Sequence, residues 1–582
     1  MADFESQKDV MNNSKLQDRK LKKALNTWDL YFLSLGGIIG SGWLFAAAAS
    51  AGTDGPAAIL SWLIGGIIVL FIALVYAELG GMIPRTGAIS RYGHYSHGGV
   101  AGLFFGWTYF LSAVSVPAVE AEAVITYASS YINGLSYSAP NPLDPSTTVA
   151  LLTGLGILLA GILIVAFFGL NYFGVRLMGK TNTGMTWWKL IIPSLTIVML
   201  AFLVFHSSNF TSPALGGFLP DNNSATIFEA VSTDGIVFSF LGFRQALDYG
   251  GEAKTPQKSI PRATIFSVLT GIIVYVLLQV VFIAAINPAS LAASGGWYGL
   301  VSSSPTAYAK SVVAAPFAFL AKSSGIVALV VLTYILYADA YVSPAGTLNV
   351  YAGTSTRTLF GLSQIGYFPK QISNVSKKTG IPLIPIIVSV IVGLIFLAPF
   401  PSWYALVGLI TGATAFTYIV GGSALMVFRK QANELKRPFK LPFASILAPI
   451  AFVGATLIVY WSGWPTIPIL AIAIFLGIAI YLIFLSTHKV ENVFTMENIK
   501  AGWWVPVFIL SLTLLSYLGE ADYGGINILP YPLDFVVVII MAIMFYLISI
   551  NSGFRTEEIQ DIIESGEQYI AGNEELATGA KK

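Results

Sequence analysis

The sequence predicts an all-α integral membrane protein of fourteen transmembrane helices, and three observations carry that expectation. Of its 582 residues, 55% are hydrophobic and only 10% charged, with a mean hydropathy of +0.74. A soluble domain carries about 25% charged residues. Apolar stretches near the ~20 residues needed to cross the hydrocarbon core lie at roughly 28–52, 56–83, 98–134, 149–170, 182–206, 226–250, 260–287, 324–353, 382–400, 403–428, 444–463, 465–486, 502–519 and 532–552. With the N-terminus inside, 27 of the 31 Lys and Arg residues fall in inner segments. Lys310 and Lys322 fall outside, and Lys189 and Arg244 within spans. A missing helix would invert every later loop and spoil this agreement with the positive-inside rule. Both termini are therefore expected in the cytoplasm, and the chain in the cell membrane. Alternating β-barrel patterning is absent.

Span 1 reads LYFLSLGGIIGSGWLFAAAAS, with Gly36, Gly37, Gly40 and Gly42 crowding its middle. Each glycine weakens a helix by about 1 kcal/mol relative to alanine. Non-helical backbone at membrane depth survives only where it is buried in protein or lines a cavity. Unwinding at Ile39-Gly40-Ser41-Gly42 would free N–H groups that attract a carboxylate and carbonyls that attract an ammonium. A zwitterionic amino acid presents both. The alternative is glycine serving close helix packing.

Span 3 carries Glu120 and Glu122, two residues apart and so facing different directions. At most one is expected to reach a central cavity, the other packing against a neighbouring helix's polar group. Between spans 4 and 5, GVRLMGKT (residues 174–181) has the spacing of a phosphate-binding loop. That loop works between a strand and a soluble helix. Here Leu170-Asn-Tyr-Phe precedes it and a membrane helix follows, so a tight turn with two anchoring cations is expected, and no nucleotide.

Span 5 holds Lys189. Span 6 reads FSFLGFRQALDYGG, with Gly242 mid-span, then Arg244 and Asp248, and span 8 holds Asp339. Ionisable groups near the bilayer centre cost at least ~2.5–3.5 kcal/mol each, so each is a functional candidate. Interrupted helices at corresponding positions of two halves point to a transporter site built from inverted repeats. Spans 1 and 6, five apart, fit that pattern.

The remaining segments are plainer. The basic tail (residues 1–24) serves topology and inner-leaflet contact. The C-tail from Arg555 carries seven carboxylates against three cations, with a short helix expected at 556–570. Asn209-Phe-Thr and Asn222-Asn-Ser are glycosylation sequons in an outer loop. There are no cysteines, and the four histidines show no metal-ligand spacing. No metal or cofactor is expected, and a net charge of +2 does not point to nucleic acid.

GGIIGSGWLF in span 1 resembles the first-helix glycine signature of amino acid permeases of the amino acid–polyamine–organocation superfamily. YAELGGMIPRTGAISRY (76–92), GFRQALDYGGEAKTPQKSIPRA (242–263), STRTLFGLSQIGYFPK (355–370) and Trp188-Lys189-Leu190 are similar to further signatures of that family. The resemblance covers about residues 25–430 and implies a leucine-transporter-type core. That core would be a 5+5 inverted repeat (about 28–206 and 226–428) with spans 1 and 6 broken. Spans 11–14 (431–552) would be additions, followed by an acidic tail (553–582).

The resemblance implies that Ser41 and Gly42 hold the substrate carboxylate, with Gly40 beside them in the binding site, and that the carbonyls of Ile38, Phe238 and Leu241 receive the ammonium. Phe238 or Phe243 would close over the substrate, and Tyr351 or Asn349 would line the side-chain pocket. It also implies that Lys189 is the coupling proton site, or a permanent surrogate for the cation that sodium-coupled members bind between helices 1 and 8. The alternative is a lysine snorkelling to inner headgroups. Arg244 departs from the family, where several members carry an acidic residue. Facing the site, it would favour acidic or small polar substrates; otherwise it would pair with Asp248 or Asp339. Glu252 resembles an inner gating or structural carboxylate near Lys254 and Arg262.

The expected activity is secondary active transport of amino acids by alternating access, with proton symport first and obligate exchange as the alternative. Spans 1, 2, 6 and 7 would rock against 3, 4, 8 and 9. A non-transporting sensor of the same fold remains a third reading. No catalytic constellation at a helix end suggests an enzyme.

Overall fold

The computed structural model describes residues 23–173, 175–376, 381–399 and 401–565. The chain begins with a helix in two pieces, α1 (Thr27–Ile38) and α2 (Gly42–Asp54), separated by the irregular residues 39–41. Asn26 caps α1 by accepting from the Trp28 and Asp29 N–H groups while the Asp29 carboxylate accepts from the Asn26 N–H, a reciprocal box that fixes the entry angle. Then follow α3 (Ala58–Met82) and α4 (Ile89–Ala128). A hairpin, β1 (Ser136–Pro140) with β2 (Thr148–Leu152), precedes α5 (Gly154–Tyr172) and α6 (Val175–Leu203). The second broken helix is α7 (Ala225–Thr233) with α8 (Ile236–Asp248), bent by 49°. After it come α9 (Pro256–Ala285), α10 (Val327–Gln364), α11 (Leu383–Phe396) and α12 (Trp403–Gln431). The chain closes with α13 (Ala444–Trp461), α14 (Thr466–Ser486), α15 (Trp504–Leu518), α16 (Leu533–Ser552) and α17 (Glu557–Ser565).

Among the described residues, eleven helices are long and apolar enough to cross a membrane, or twelve with the bent pair counted as one span. In that count α2 and α3 form one run of 41 residues, and α11 is apolar but shorter. The all-α membrane class is as expected. Two boundaries differ. Span 3 was expected to start at 98, but α4 starts at Ile89 and kinks at Gly98, where φ is +72°. A Cβ there would lie 2.0 Å from Asn498 Oδ1, so glycine answers both the left-handed backbone and the close approach. The polar run Ser90–His97 hid this first segment from a hydropathy reading. Span 8 runs on to Gln364 for a similar reason, since its last turns are polar yet buried.

Both described ends lie on one face. The Ala24 and Leu25 N–H groups donate to the Glu252 carbonyl at 3.0 and 3.1 Å, the Gly87 N–H donates to the Asp248 carbonyl at 3.0 Å, and the Phe554 N–H donates to the Ser96 carbonyl at 3.1 Å. Of the segment 174–181, Gly174 lies outside the described residues and the rest is helical backbone at the start of α6. The described strands form a hairpin before α5, so no strand leads into the phosphate-loop-like sequence. Residues 1–22 and 566–582 also lie outside the described residues. The Asn209 sequon expectation is corrected: its side chain is buried and donates to the Ile283 and Ile286 carbonyls, so it offers no acceptor amide to solvent.

The two breaks meet. A Cβ on Gly242 would lie 2.1 Å from Gly37 C and from Ile38 N. Both close atoms are backbone, which cannot move aside. Gly242→Ala is expected to destabilise the protein by at least about 1–3 kcal/mol through overpacking and to abolish transport, read by thermal unfolding in detergent and uptake into liposomes.

Candidate functional site

The break in the first helix follows from its glycines. Ile39 sits at φ −81°, ψ +85°, and its N–H still donates to the Leu35 carbonyl. The Gly40 N–H turns to the Ile38 carbonyl at 3.0 Å, and Gly42 opens α2. The second break is a 3₁₀ turn, Leu241–Arg244, inside α8. Gly235, at φ +86°, joins α7 to α8.

Around the first break the freed groups have partners. The Ser41 N–H donates to Glu120 Oε2 at 2.9 Å, and Trp403 Nε1 donates to Ser41 Oγ at 2.7 Å. A Cβ on Gly40 would meet Thr347 Oγ1 at 2.6 Å and Glu120 Oε1 at 2.7 Å. The Tyr275 hydroxyl donates to the Ile38 carbonyl at 2.7 Å. Glu120 therefore sits at the N–H end that would attract a carboxylate, and Tyr275 at a carbonyl expected to receive an ammonium. Glu122, on the same helix, is buried with neither oxygen hydrogen-bonded among the described residues. The polar neighbour expected for it is absent there.

Lys189 is fully buried and does not snorkel. Its Nζ donates to the Gly36 carbonyl at 2.7 Å and to Thr347 Oγ1 at 2.8 Å. The Thr347 hydroxyl also lies 2.9 Å from the Gly36 carbonyl. A Cβ on Gly346 would meet Lys189 Cε at 2.7 Å, so this glycine on α10 makes the room the ammonium occupies. The Lys189 side chain thus bridges the broken first helix and α10.

Arg244 is buried between two rings, its guanidinium carbon 4.9 Å from the centroids of Tyr109 and Tyr351. Its Nη1 donates to Ser112 Oγ at 2.8 Å, and its Nε has no hydrogen-bond partner among the described residues. The expected pairing is corrected: neither Asp248 nor Asp339 forms an ion pair with it. The Tyr109 hydroxyl donates to Asp248, and Ser343 Oγ donates to Asp339 Oδ1 at 2.7 Å. Tyr351 faces Arg244, whereas Asn349 turns to α5, where Asn171 donates to it at 3.1 Å.

Phe238 lies edge-on to Trp403, ring centroids 6.2 Å apart, above the break. Phe243 packs instead against Tyr418 and Tyr76. The Leu241 carbonyl lies in the 3₁₀ turn that meets α1. Trp403, Tyr275, Thr347, Tyr109 and Ser112 were not singled out from the sequence, and no local motif marks them.

The two sides of the site are unequal. Toward the face opposite the termini, a cavity of about 660 Å³ is lined by residues including Thr53, Glu229, Thr233, Tyr404 and Gly408. It adjoins Trp403. Toward the terminal face, Arg357 Nε donates to Glu252 Oε1 at 2.5 Å, and its guanidinium stacks 4.1 Å over Tyr249. Glu252 thus bridges to the inner turns of α10 rather than to Lys254 or Arg262.

A family model described as amino acid permease matches residues 25–487. The glutamate/serine transporter AimA of Bacillus subtilis (strain 168) is 38% identical over 560 residues, covering 96% of this chain and 99% of its own. The aspartate-proton symporter of the same organism is 32% identical over 525 residues, covering 90% and 95%. The branched-chain amino acid permease BcaP, also from that organism, is 25% identical over 483 residues, covering 82% and 96%. Two broken helices meeting backbone to backbone, with a buried lysine across the break, thus lie within a match that runs almost the whole length of the chain: this multi-pass membrane protein belongs to the amino acid permease family.

Proposed function

We propose that the protein is a proton-coupled symporter carrying acidic or small polar amino acids across the plasma membrane, with both termini in the cytoplasm. The observation that carries the reading is Lys189, held by the Gly36 carbonyl and the Thr347 hydroxyl between the broken helix and α10. A cation there that can give up its proton links protonation to the geometry of the break. The substrate class is supported by Arg244, which lacks an ion-pair partner among the described residues, and by two relatives named for glutamate, serine and aspartate.

In this reading residues 25–430 form a ten-helix core of two inverted repeats, 431–552 add four helices, and fourteen spans cross the membrane. The substrate carboxylate displaces Glu120 from the Ser41 N–H, and the ammonium takes the place of the Tyr275 hydroxyl near Ile38. Gly40 and Gly42 leave room for both, with the Phe238 and Leu241 carbonyls beside them. Phe238 and Trp403 close the outer side, and the Glu252–Arg357 pair closes the inner.

The test is uptake of a panel of radiolabelled amino acids into liposomes holding the purified protein. Accumulation of L-aspartate, L-glutamate or L-serine driven by an inward proton gradient is the expected result. Uptake only into liposomes preloaded with amino acid would replace symport by exchange. Binding without flux would replace it by sensing.

A further inference from the structure

We infer that Asp339 is the outer proton acceptor of this transporter, feeding Lys189 along α10 by a route separate from the substrate's. The inference rests on the symport reading above and names the residue that reading leaves out. Asp339, Ser343 and Thr347 are spaced four apart on α10 and so share one face. At 1.5 Å rise per residue the three span about 12 Å. The inner end of that row is Thr347, bonded to Lys189 Nζ at 2.8 Å. At the outer end, Ser343 Oγ donates to Asp339 Oδ1 at 2.7 Å, while Asp339 Oδ2 is buried, faces the indoles of Trp43 and Trp188, and has no hydrogen-bond partner within bonding distance among the described residues. Asp339 and Lys189 are close enough to interact electrostatically. A buried carboxylate oxygen left open beside a buried amine is an unusual cost, since nearly all buried polar atoms are paired.

Tyrosines adjoin the row, from Tyr127 on α4 to Tyr131 just beyond that helix's end. Tyr127 on α4 is within electrostatic reach of Asp339, and its buried hydroxyl faces the Ala318 backbone with no hydrogen-bond partner within bonding distance among the described residues. Tyr337 lies between Tyr127 and Tyr131, ring centroids 6.1 and 4.9 Å away. The hydroxyls of Tyr131 and Tyr341 bond each other, and these residues are 44% and 40% exposed. Phe45 divides this row from the substrate vestibule, with Tyr127 edge-on to one side and Trp403 and Tyr404 against it.

The groups facing Asp339 are Ser343 on its own helix, Tyr127 on α4, Trp43 on α2, and Trp188 and Lys189 on α6. The charged groups nearest in sequence to Tyr127 on α4 are Glu120, within electrostatic reach of Lys189, and Glu122. α5 and α11, which also pack on α10, contain no charged residue.

The proton balance is simple. A proton from the outer solution converts the Asp339 carboxylate to the acid. The acid passes its proton by way of the Ser343 hydroxyl to the neutral Lys189 amine, leaving a carboxylate and an ammonium. The ammonium releases that proton to the inner solution once the site opens there, so one proton crosses with the substrate.

The test uses full-length wild type, Asp339→Asn, Asp339→Glu and Ser343→Ala in liposomes with a trapped pH-sensitive dye. L-Aspartate, L-glutamate and L-serine are the probes, and counterflow is measured on the same preparations. The expected result for Asp339→Asn is an at least tenfold loss of gradient-driven uptake and of substrate-stimulated proton entry, with counterflow within about twofold. Asp339→Glu should restore both, and Ser343→Ala should slow proton entry while keeping counterflow. Wild-type proton coupling in Asp339→Asn overturns this inference and leaves the symport reading standing. Loss of counterflow together with uptake assigns Asp339 to the fold or the substrate site and also overturns it. Absence of gradient-driven uptake in the wild type overturns both.

Discussion

Replacing Lys189 by methionine is expected to remove proton-driven accumulation altogether, at least a hundredfold below wild type, while leaving measurable counterflow. Methionine matches the length of the lysine stem but donates nothing. The Gly36 carbonyl, freed by the break in the first helix, and the Thr347 hydroxyl would both lose the ammonium that bonds them at 2.7 and 2.8 Å. The Gly36 carbonyl keeps the Thr347 hydroxyl as a donor, so the loss is that of a hydrogen bond to a charged group, about 1.5–3 kcal/mol, which slows the cycle by about 10- to 150-fold and accounts for reduced counterflow. It does not account for loss of pH dependence, which requires the removed group to carry the proton. The two losses are separable on one preparation, with uptake under an inward gradient read beside counterflow at equal pH. Gradient-driven uptake surviving in Lys189→Met would reduce the lysine to a fixed cation bracing the break. Gly346→Ala probes the same pocket from α10, because its Cβ would lie 2.9 Å from Nζ. It is expected to weaken uptake and counterflow together.

Much of this arrangement was readable along the chain because it depends on local physics. The glycines of LSLGGIIGSG had to break or tighten their helix, and residues 39–41 are irregular backbone. Gly242 between aromatics marked the second break. What the chain could not disclose are partnerships across hundreds of residues. Ser41 is met by Trp403 from α12 and by Glu120 from α4. Helical geometry said that Glu120 and Glu122 diverge, but not which of them turns to the break. The start of α4 was missed because the largely polar run Ser90 to His97 is buried against other protein rather than exposed to water. Hydropathy measures affinity for lipid and is blind to that.

Arg244 shows most sharply how a residue's role is settled by its neighbours, and its substitution carries the other large effect. The chain alone allowed an ion pair with Asp248 one turn on, which would have neutralised the guanidinium and made it structural. Instead Asp248 takes the Tyr109 hydroxyl, and Arg244 lies between the rings of Tyr109 and Tyr351 with its Nε open. Ring faces hold a desolvated cation by about 2 kcal/mol, and Asp248 lies within electrostatic reach but forms no ion pair with it. In the proposed reading a substrate carboxylate pairs with Arg244, and losing one partner of a buried, hydrogen-bonded charge pair costs about 2–5 kcal/mol. Arg244→Met is therefore expected to lower kcat/KM for L-aspartate or L-glutamate by about 30-fold or more. L-Serine, which has no second carboxylate, is expected to change by less than about threefold. Competition uptake with all three amino acids on one preparation measures the ratio directly and cancels differences in folded protein. An equal fall for all three would return Arg244 to a packing role, with Ser112, Tyr109 and Tyr351 as its only purpose.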